Sequence, residues 1–393
     1  RPIKQSDGIT TSLIEYNVKG EAFRSAVDMN GNDTIDLDGQ DRIRETESSF
    51  KNAGGMDVRE TVSKAYATNG SAAATILSTS YSSVDGSESW SVSFGRTNRV
   101  QVSRNRAAAS RVETSTRPDG TQSVAYYTNG LLRTVVAKDA VGNVLSTSTR
   151  SYDGFMRPSN STEPAANGET RTATYQADAA GQVTNVVVTA GSLAQTNSVL
   201  FNSMGLRVKT TLPDRGEVFY NYNLQGALTN QYGARTYPVS YSYTDQGQMA
   251  TLSTYQNGLS GSADITTWAY DSQRGWLSVK TYADNSTNAY EYFANGTLKK
   301  RTGARAIATE YAYGADGSLT NVNYSDSTPD VAFIQDRSGR SIQIADGIGT
   351  WTNVYAEDGS LLSGTLPQLV GGALEYGKDD IGRVTNSSLS IGG

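Results

Sequence analysis

The sequence contains neither cysteine nor histidine. Without cysteine there are no disulfides, thiolate metal sites or thiol nucleophiles. Without histidine, the commonest general base and the commonest metal ligand are missing together. Charged residues make up only 19% of 393, and the formal net charge is −5, so the basic stripe of a nucleic-acid-binding surface is absent. No apolar run approaches the roughly 18 residues of a membrane span. Long periodic runs of Leu, Glu, Lys and Ala, the material of helices, are missing as well. What fills the chain instead is turn and strand chemistry: 39 Gly, 23 Tyr, and abundant Ser, Thr and Asn. The chain opens on Arg1 rather than Met and closes on Ser390-Ile391-Gly392-Gly393, which reads as a piece of a longer polypeptide.

A turn glycine recurs at Gly205, Gly226, Gly247, Gly275, Gly296, Gly317, Gly339, Gly359 and Gly382, at intervals of 21, 21, 28, 21, 21, 22, 20 and 23 residues. Upstream, Gly130, Gly142, Gly154 and Gly181 continue the series less evenly. The best copies read Tyr-x-Tyr-x-x-x-Gly-x-Leu, with Met allowed last. They are Tyr220, Tyr222, Gly226, Leu228; Tyr241, Tyr243, Gly247, Met249; Tyr290, Tyr292, Gly296, Leu298; and Tyr311, Tyr313, Gly317, Leu319. The copy at Gly275 carries one extra residue (Trp268, Tyr270, Gly275, Leu277), and the copy at Gly339 has Ser341 in place of Leu.

The pattern has a direct physical reading. Tyrosines two apart share one face of a strand. The x-x-x-Gly segment then reverses the chain, often through Asn129-Gly130, Asn295-Gly296, Asp316-Gly317 or Asp358-Gly359, dipeptides that supply the positive φ of hairpin turns. The Leu begins the returning strand. A period of about 21 residues accommodates two strands of ~5–6 residues and two turns. One hairpin is marginal in water, so each must pair with the next. The expected fold is all-β, tandem antiparallel hairpin repeats forming a spiralling ribbon or open shell; a β-sandwich is the plainer alternative.

These units resemble the tyrosine–aspartate (YD) repeats of bacterial Rhs proteins, insecticidal toxin-complex subunits and teneurins. Ser151-Tyr152-Asp153-Gly154, Ala269-Tyr270-Asp271 and Asp380-Ile381-Gly382-Arg383-Val384 are closest to that family's consensus. The resemblance assigns residues 111–393 to a repeat array and 1–110 to degenerate β repeats. It implies a ribbon that spirals into a hollow shell around a C-terminal toxic or variable polypeptide. It also implies a secreted or cell-surface protein, whose partner is a polypeptide cargo or C-terminal effector of the same chain. A cell-surface adhesion or carbohydrate-binding module is the second expectation, since aromatic rows on sheets also bind glycans. Cross-strand tyrosine stacking, at about 0.2–1 kcal/mol per pair, is the structural account of the same residues.

One local feature lies outside the repeats. Residues 28–38 form an acidic, Asx-rich loop resembling the first positions of an EF-hand or dockerin calcium loop. Asp28, Asn30 and Asn32 stand at positions 1, 3 and 5, the Thr34 carbonyl at 7 and Asp36 at 9, with Asp38 and Asp41 close by. Position 6 is Asp33 rather than Gly, and position 12 is Gly39 rather than a bidentate acid. The alternative is a loop whose side chains bond their own backbone.

Catalytic motifs are scarce. No Ser-x-x-Lys sits beside a strand-to-helix turn, and the Gly-x4-Gly-Lys string of Gly372 to Lys378 is followed by Asp379 where a phosphate loop needs Ser or Thr. No pair of carboxylates is singled out for glycoside hydrolysis. The Asp-Pro dipeptide of Rhs autoproteolysis does not occur. The expectation is a protein that is not an enzyme and has no cofactor beyond, at most, calcium in the acidic loop.

Overall fold

The computed structural model describes residues 2–165, 168–367, 371–379 and 381–391. They form 33 β-strands in one open antiparallel sheet that does not close into a barrel, and no α-helix occurs among the described residues. Strand follows strand as a meander, each paired with its successor in sequence, for example Val239–Tyr243 with Met249–Tyr255 and that strand with Ala263–Tyr270. The sandwich alternative is thereby set aside.

The turns explain the period. At the motif copies the residue three before the glycine closes a tight loop: Thr244 N donates to the Gln248 carbonyl at 2.8 Å, and Gly247 N to the Thr244 carbonyl at 2.9 Å. Asn223–Ala227, Phe293–Thr297 and Gly314–Ser318 repeat it. This is the three-residue hairpin loop that ends in one left-handed residue. Gly226, Gly247, Gly296 and Gly317 have φ of 82°, 81°, 89° and 75°. Only the glycine is left-handed at Asn295-Gly296, Asp316-Gly317 and Asp358-Gly359, whereas at Asn129-Gly130 both residues are, with φ of 52° and 77°. The dipeptides expected to turn alike therefore make two different turns. At the Tyr152 copy the left-handed place falls on Met156 (φ 64°), not on Gly154. Gly372 to Lys378 is a plain strand, so the phosphate-loop string has no helix N-terminus to work with.

The chain divides into two compact units. One comprises Arg1–Val102, Thr114–Gly120 and Tyr290–Gly393, and the other Ser103–Glu113 and Thr121–Ala289. Strand Ser110–Thr116 runs through the 110/111 junction drawn from the sequence. The second unit has a thin interior, with Val124, Ala173, Val218 and Tyr220 among its few buried apolar residues. In the first unit a core forms around Leu13, Ala26, Ile43 and Tyr66. Leu13 faces Ala26 and Ala26 faces Ile43 on successive strands, and Ile35 and Leu37 of the acidic loop pack on that row. Full burial of an aliphatic side chain contributes about 1.5–3 kcal/mol; Ile35 and Leu37, partly buried, contribute a share of that each and so anchor the polar loop against the sheet.

Candidate functional sites: the repeat junction and the acidic loop

The tyrosine pairs end the strands that lead into the turns: Glu217–Tyr222, Val239–Tyr243, Thr287–Tyr292 and Ala308–Tyr313. Asn221, Ser242 and Glu291, between the two tyrosines of a pair, are exposed, while the tyrosines on either side are more covered. Leu228, Met249, Leu298 and Leu319 open the returning strands.

The two tyrosines do different work. The second one, four residues before the left-handed turn residue (five at Tyr270), reaches back one repeat and donates its hydroxyl to the backbone carbonyl two residues after the preceding turn. Tyr243 bonds the Leu228 carbonyl at 2.7 Å, Tyr270 the Met249 carbonyl at 2.8 Å, Tyr313 the Leu298 carbonyl at 2.9 Å and Tyr222 the Arg207 carbonyl at 2.8 Å. Tyr152 on Leu132 and Tyr355 on Ser341 continue the series at 2.9 and 3.0 Å. Where the tyrosine is replaced the donor survives, for Lys378 bonds the Leu361 carbonyl at 2.8 Å and Gln335 the Leu319 carbonyl at 3.5 Å. The acceptor is backbone, so Ser341 in place of Leu leaves its rung intact. The first tyrosine serves packing: Tyr220 is only 8% exposed, with the Arg207 guanidinium 4.3 Å from its ring centre. Burial, and after it the neighbouring Tyr241, Tyr290 and Tyr311, pushes the phenols of Tyr243, Tyr292 and Tyr313 up.

A second row of contacts runs along the turns. The residue after the left-handed position crosses to the following turn: Gln182 to the Gly205 carbonyl at 2.9 Å, Gln248 to the Gly275 carbonyl at 2.7 Å, Arg157 to the Asp178 carbonyl at 3.1 Å and Arg340 to the Ala356 carbonyl at 3.2 Å. Three turns, two of these and the one at Arg383, explain the consensus aspartate. Asp153, Asp336 and Asp379 each accept backbone amides across their own turn and pair with the arginine four residues on, Arg157, Arg340 and Arg383, with Nε at 2.7 Å. At the last copy the working residue is thus Asp379; Asp380, quoted from the consensus, lies outside the described residues.

Both rows are ladders between neighbours. The hairpins are similar in fold to those of Tc toxin complexes. A solved structure of TcdB2-TccC3 without its hypervariable C-terminal region matches 97% of this chain with a TM-score of 0.53 at 12% identity. The Photorhabdus luminescens Tc holotoxin pore matches 97% with a TM-score of 0.51 at 13% identity. This chain spans 25% of the length of either matched chain. No family model matches the sequence, and no curated protein matches it. At such identity the likeness is one of fold.

The acidic loop closes on itself. Asp28, 2% exposed, accepts the amides of Gly31 and Asn32 on one carboxylate oxygen and that of Asp33 on the other. Asp41, fully buried, accepts Met29 N and Asp36 N at 2.9 Å each. Asp36 takes the side-chain amides of Asn30 and Asn32 at 2.7 and 2.8 Å and the Thr34 hydroxyl at 3.1 Å. Those bonds, Asn30 and Asn32 first, hold the Asp36 carboxyl below the usual range. Asp33 adopts φ 60° where a calcium loop places glycine. Asp38 is exposed. Asp41, one of the two acids expected near the missing position 12, thus bonds the loop's amides; sequence reasoning did not single out the residue that completes the loop, Arg337. Arg337 is 4% exposed, and its Nη2 donates to the Asp36 and Leu37 carbonyls at 3.0 and 2.9 Å.

A stacked aromatic pair also occurs on the sheet of the first unit. Tyr81 and Trp90 face each other at 4.7 Å, with Lys51 5.2 Å from the centre of the Tyr81 ring and Arg99 5.7 Å from that of Trp90. The rings spend their faces on one another and on these cations.

Proposed function

We propose that this chain is a wall segment of a β shell of the Rhs/YD-repeat kind, secreted or displayed at the cell surface, which encloses or presents a C-terminal polypeptide of the same protein. The observation that supports this most is the double ladder. Hairpin after hairpin from Tyr222 onward bonds a backbone carbonyl behind the preceding turn, and several turns add a side chain that reaches the next turn. Hairpins built this way add one after another without needing a shared core. A wall one sheet thick is what results, and a wall suits enclosure. The fold likeness to Tc toxin assemblies supports the same reading.

The role is non-catalytic. The aspartates of the repeat turns fit that reading: Asp153, Asp358 and Asp379 are lowered by turn amides, hydroxyls or arginines, so they serve the turns rather than act as general acids. Limited proteolysis of the complete polypeptide tests the proposal. The segment following this chain should resist protease in the intact protein and be cleaved at once when expressed alone. Equal cleavage in both forms would reject enclosure, and retention of the intact protein on a glycan array would then favour the adhesion reading.

A further inference from the structure

We infer that the acidic loop takes its cation from the chain itself: Arg337, not a metal ion, is the charge around which residues 28–41 fold. This goes beyond the shell reading and does not depend on it.

The argument starts from valence. A guanidinium has five N–H donors in a rigid planar fork and no acceptor. Every one of the five is used here on a backbone carbonyl. Nε donates to Asp41 at 2.7 Å, Nη1 to Thr68 and Ser71 at 2.9 and 3.0 Å, and Nη2 to Asp36 and Leu37. The Tyr66 ring lies 5.6 Å from the guanidinium carbon, and the Tyr66 hydroxyl donates to Glu45 at 2.8 Å. A group this buried and this fully bonded is a structural centre, since a buried charge without such partners is costly.

The loop's own oxygens make the complementary case. A calcium ion at positions 1, 3, 5, 7 and 9 needs oxygens turned inward. Both carboxylate oxygens of Asp28 accept backbone amides, and the amide nitrogens of Asn30 and Asn32 point at Asp36. Nitrogen donors cannot ligate a cation. Among the described residues no group of three or more acidic, imidazole or thiol side chains is arranged to hold a metal. As arranged, the side chains fit a loop closed by amides, and the carbonyls converge on Arg337.

Arg337 enters from a turn of the repeats, 296 residues beyond Asp41. The loop and that turn therefore fold as one, and the guanidinium fastens the first hairpins of the unit to the hairpin of Val331–Gln335 and Ser341–Ala345. Nearby contacts take the same course: Arg42 donates to Gln335 at 2.9 Å, and Arg96 to Asp358 at 2.9 Å.

Hydrogen exchange at the amides of Met29, Gly31, Asp33 and Asp36, all bonded to Asp28 or Asp41, tests the inference. In the unmodified chain their protection should be the same in millimolar calcium and in EDTA. In Arg337→Met it should fall by about tenfold or more, and Arg337→Lys, with three donors for five carbonyls, should restore it only in part. Amides of the hairpin Val239–Tyr255 should not change in any sample. Protection lost in EDTA, or raised by calcium, would show a metal loop and overturn the inference. So would wild-type protection in Arg337→Met. The EDTA and calcium arms use the unmodified chain and decide the matter even where the Met variant does not fold.

Discussion

The rung between Tyr243 and Leu228 can be removed one atom at a time. Tyr243→Phe deletes the hydroxyl that sits 2.7 Å from the Leu228 carbonyl and keeps the ring, so no cavity opens. A hydrogen bond of this kind contributes about 0.5–1.5 kcal/mol net, and a half-buried acceptor left short of a donor adds to the loss. The expected cost is about 1 kcal/mol. Neighbouring rungs stand two strands apart, roughly 10 Å, far enough for their losses to add. Replacing Tyr222, Tyr243, Tyr270 and Tyr313 together should thus cost about 4 kcal/mol. Urea unfolding measures the sum, and native-state hydrogen exchange at strand Leu228–Gly233 measures the single rung, since long arrays lose two-state behaviour. The control is Tyr241→Phe, the first tyrosine of the same pair, which takes no part in the ladder and should stay within about 0.5 kcal/mol of wild type. Equal effects at Tyr241 and Tyr243, whether both neutral or both destabilising, would refute the division of labour.

Other outcomes follow from the turns and the titrating groups. Gly247→Ala meets no atom within 4 Å, so its cost is conformational only, about 1 kcal/mol from φ 81°. Gly205→Ala should cost more by thermal melting, because its new Cβ would lie 3.1 Å from Gln182 Nε2. Raised phenols at Tyr243, Tyr292 and Tyr313 favour the protonated fold. Their contribution is complete below the unfolded value of about 10 and is lost as pH rises past it through the folded values. Alkaline unfolding should therefore begin earlier in wild type than in the Phe variants, relative to each at neutral pH. Asp358, lowered to about 2 by the Ser360 hydroxyl and amide and then by Arg96, adds stability above its unfolded value of about 3.9 that disappears as pH falls toward 2. Arg96→Ala should shrink that acid-dependent part in a pH titration of the melting temperature.

The fold was legible because its signals are chemical and local. Glycine marks the left-handed residue, and tyrosines two apart mark a strand face. The left-handed turns of Arg215 and Ala306, with φ of 66° and 59°, were not legible, because those side chains carry no signal of the backbone they are forced into; Asn285 (φ 63°) is of a type that favours this region and could have been read. The ladder stayed hidden for a related reason. Its acceptors are carbonyls, which every residue has, so Ser341 reads as a lapse of the motif, and Gln335 and Lys378 go unread, when all three are equivalent parts of it. A cue was present in the donors: from Tyr222 onward the place four before the regular glycines holds Tyr, Gln or Lys, whereas Phe201 and Ala177 hold the same place before Gly205 and Gly181. Arg337 had no cue at all, being one exposed-looking residue of a turn whose partners lie 266 to 301 residues away.

The central claim is that ladders of hairpins build a wall around another polypeptide. A cryo-electron microscopy map of the complete protein that contains this chain measures it directly. The account predicts continuous sheet density running through this segment into further hairpins, with the C-terminal polypeptide on the enclosed side of the sheet. A map in which the C-terminal polypeptide lies outside the sheet, exposed to solvent, would contradict it.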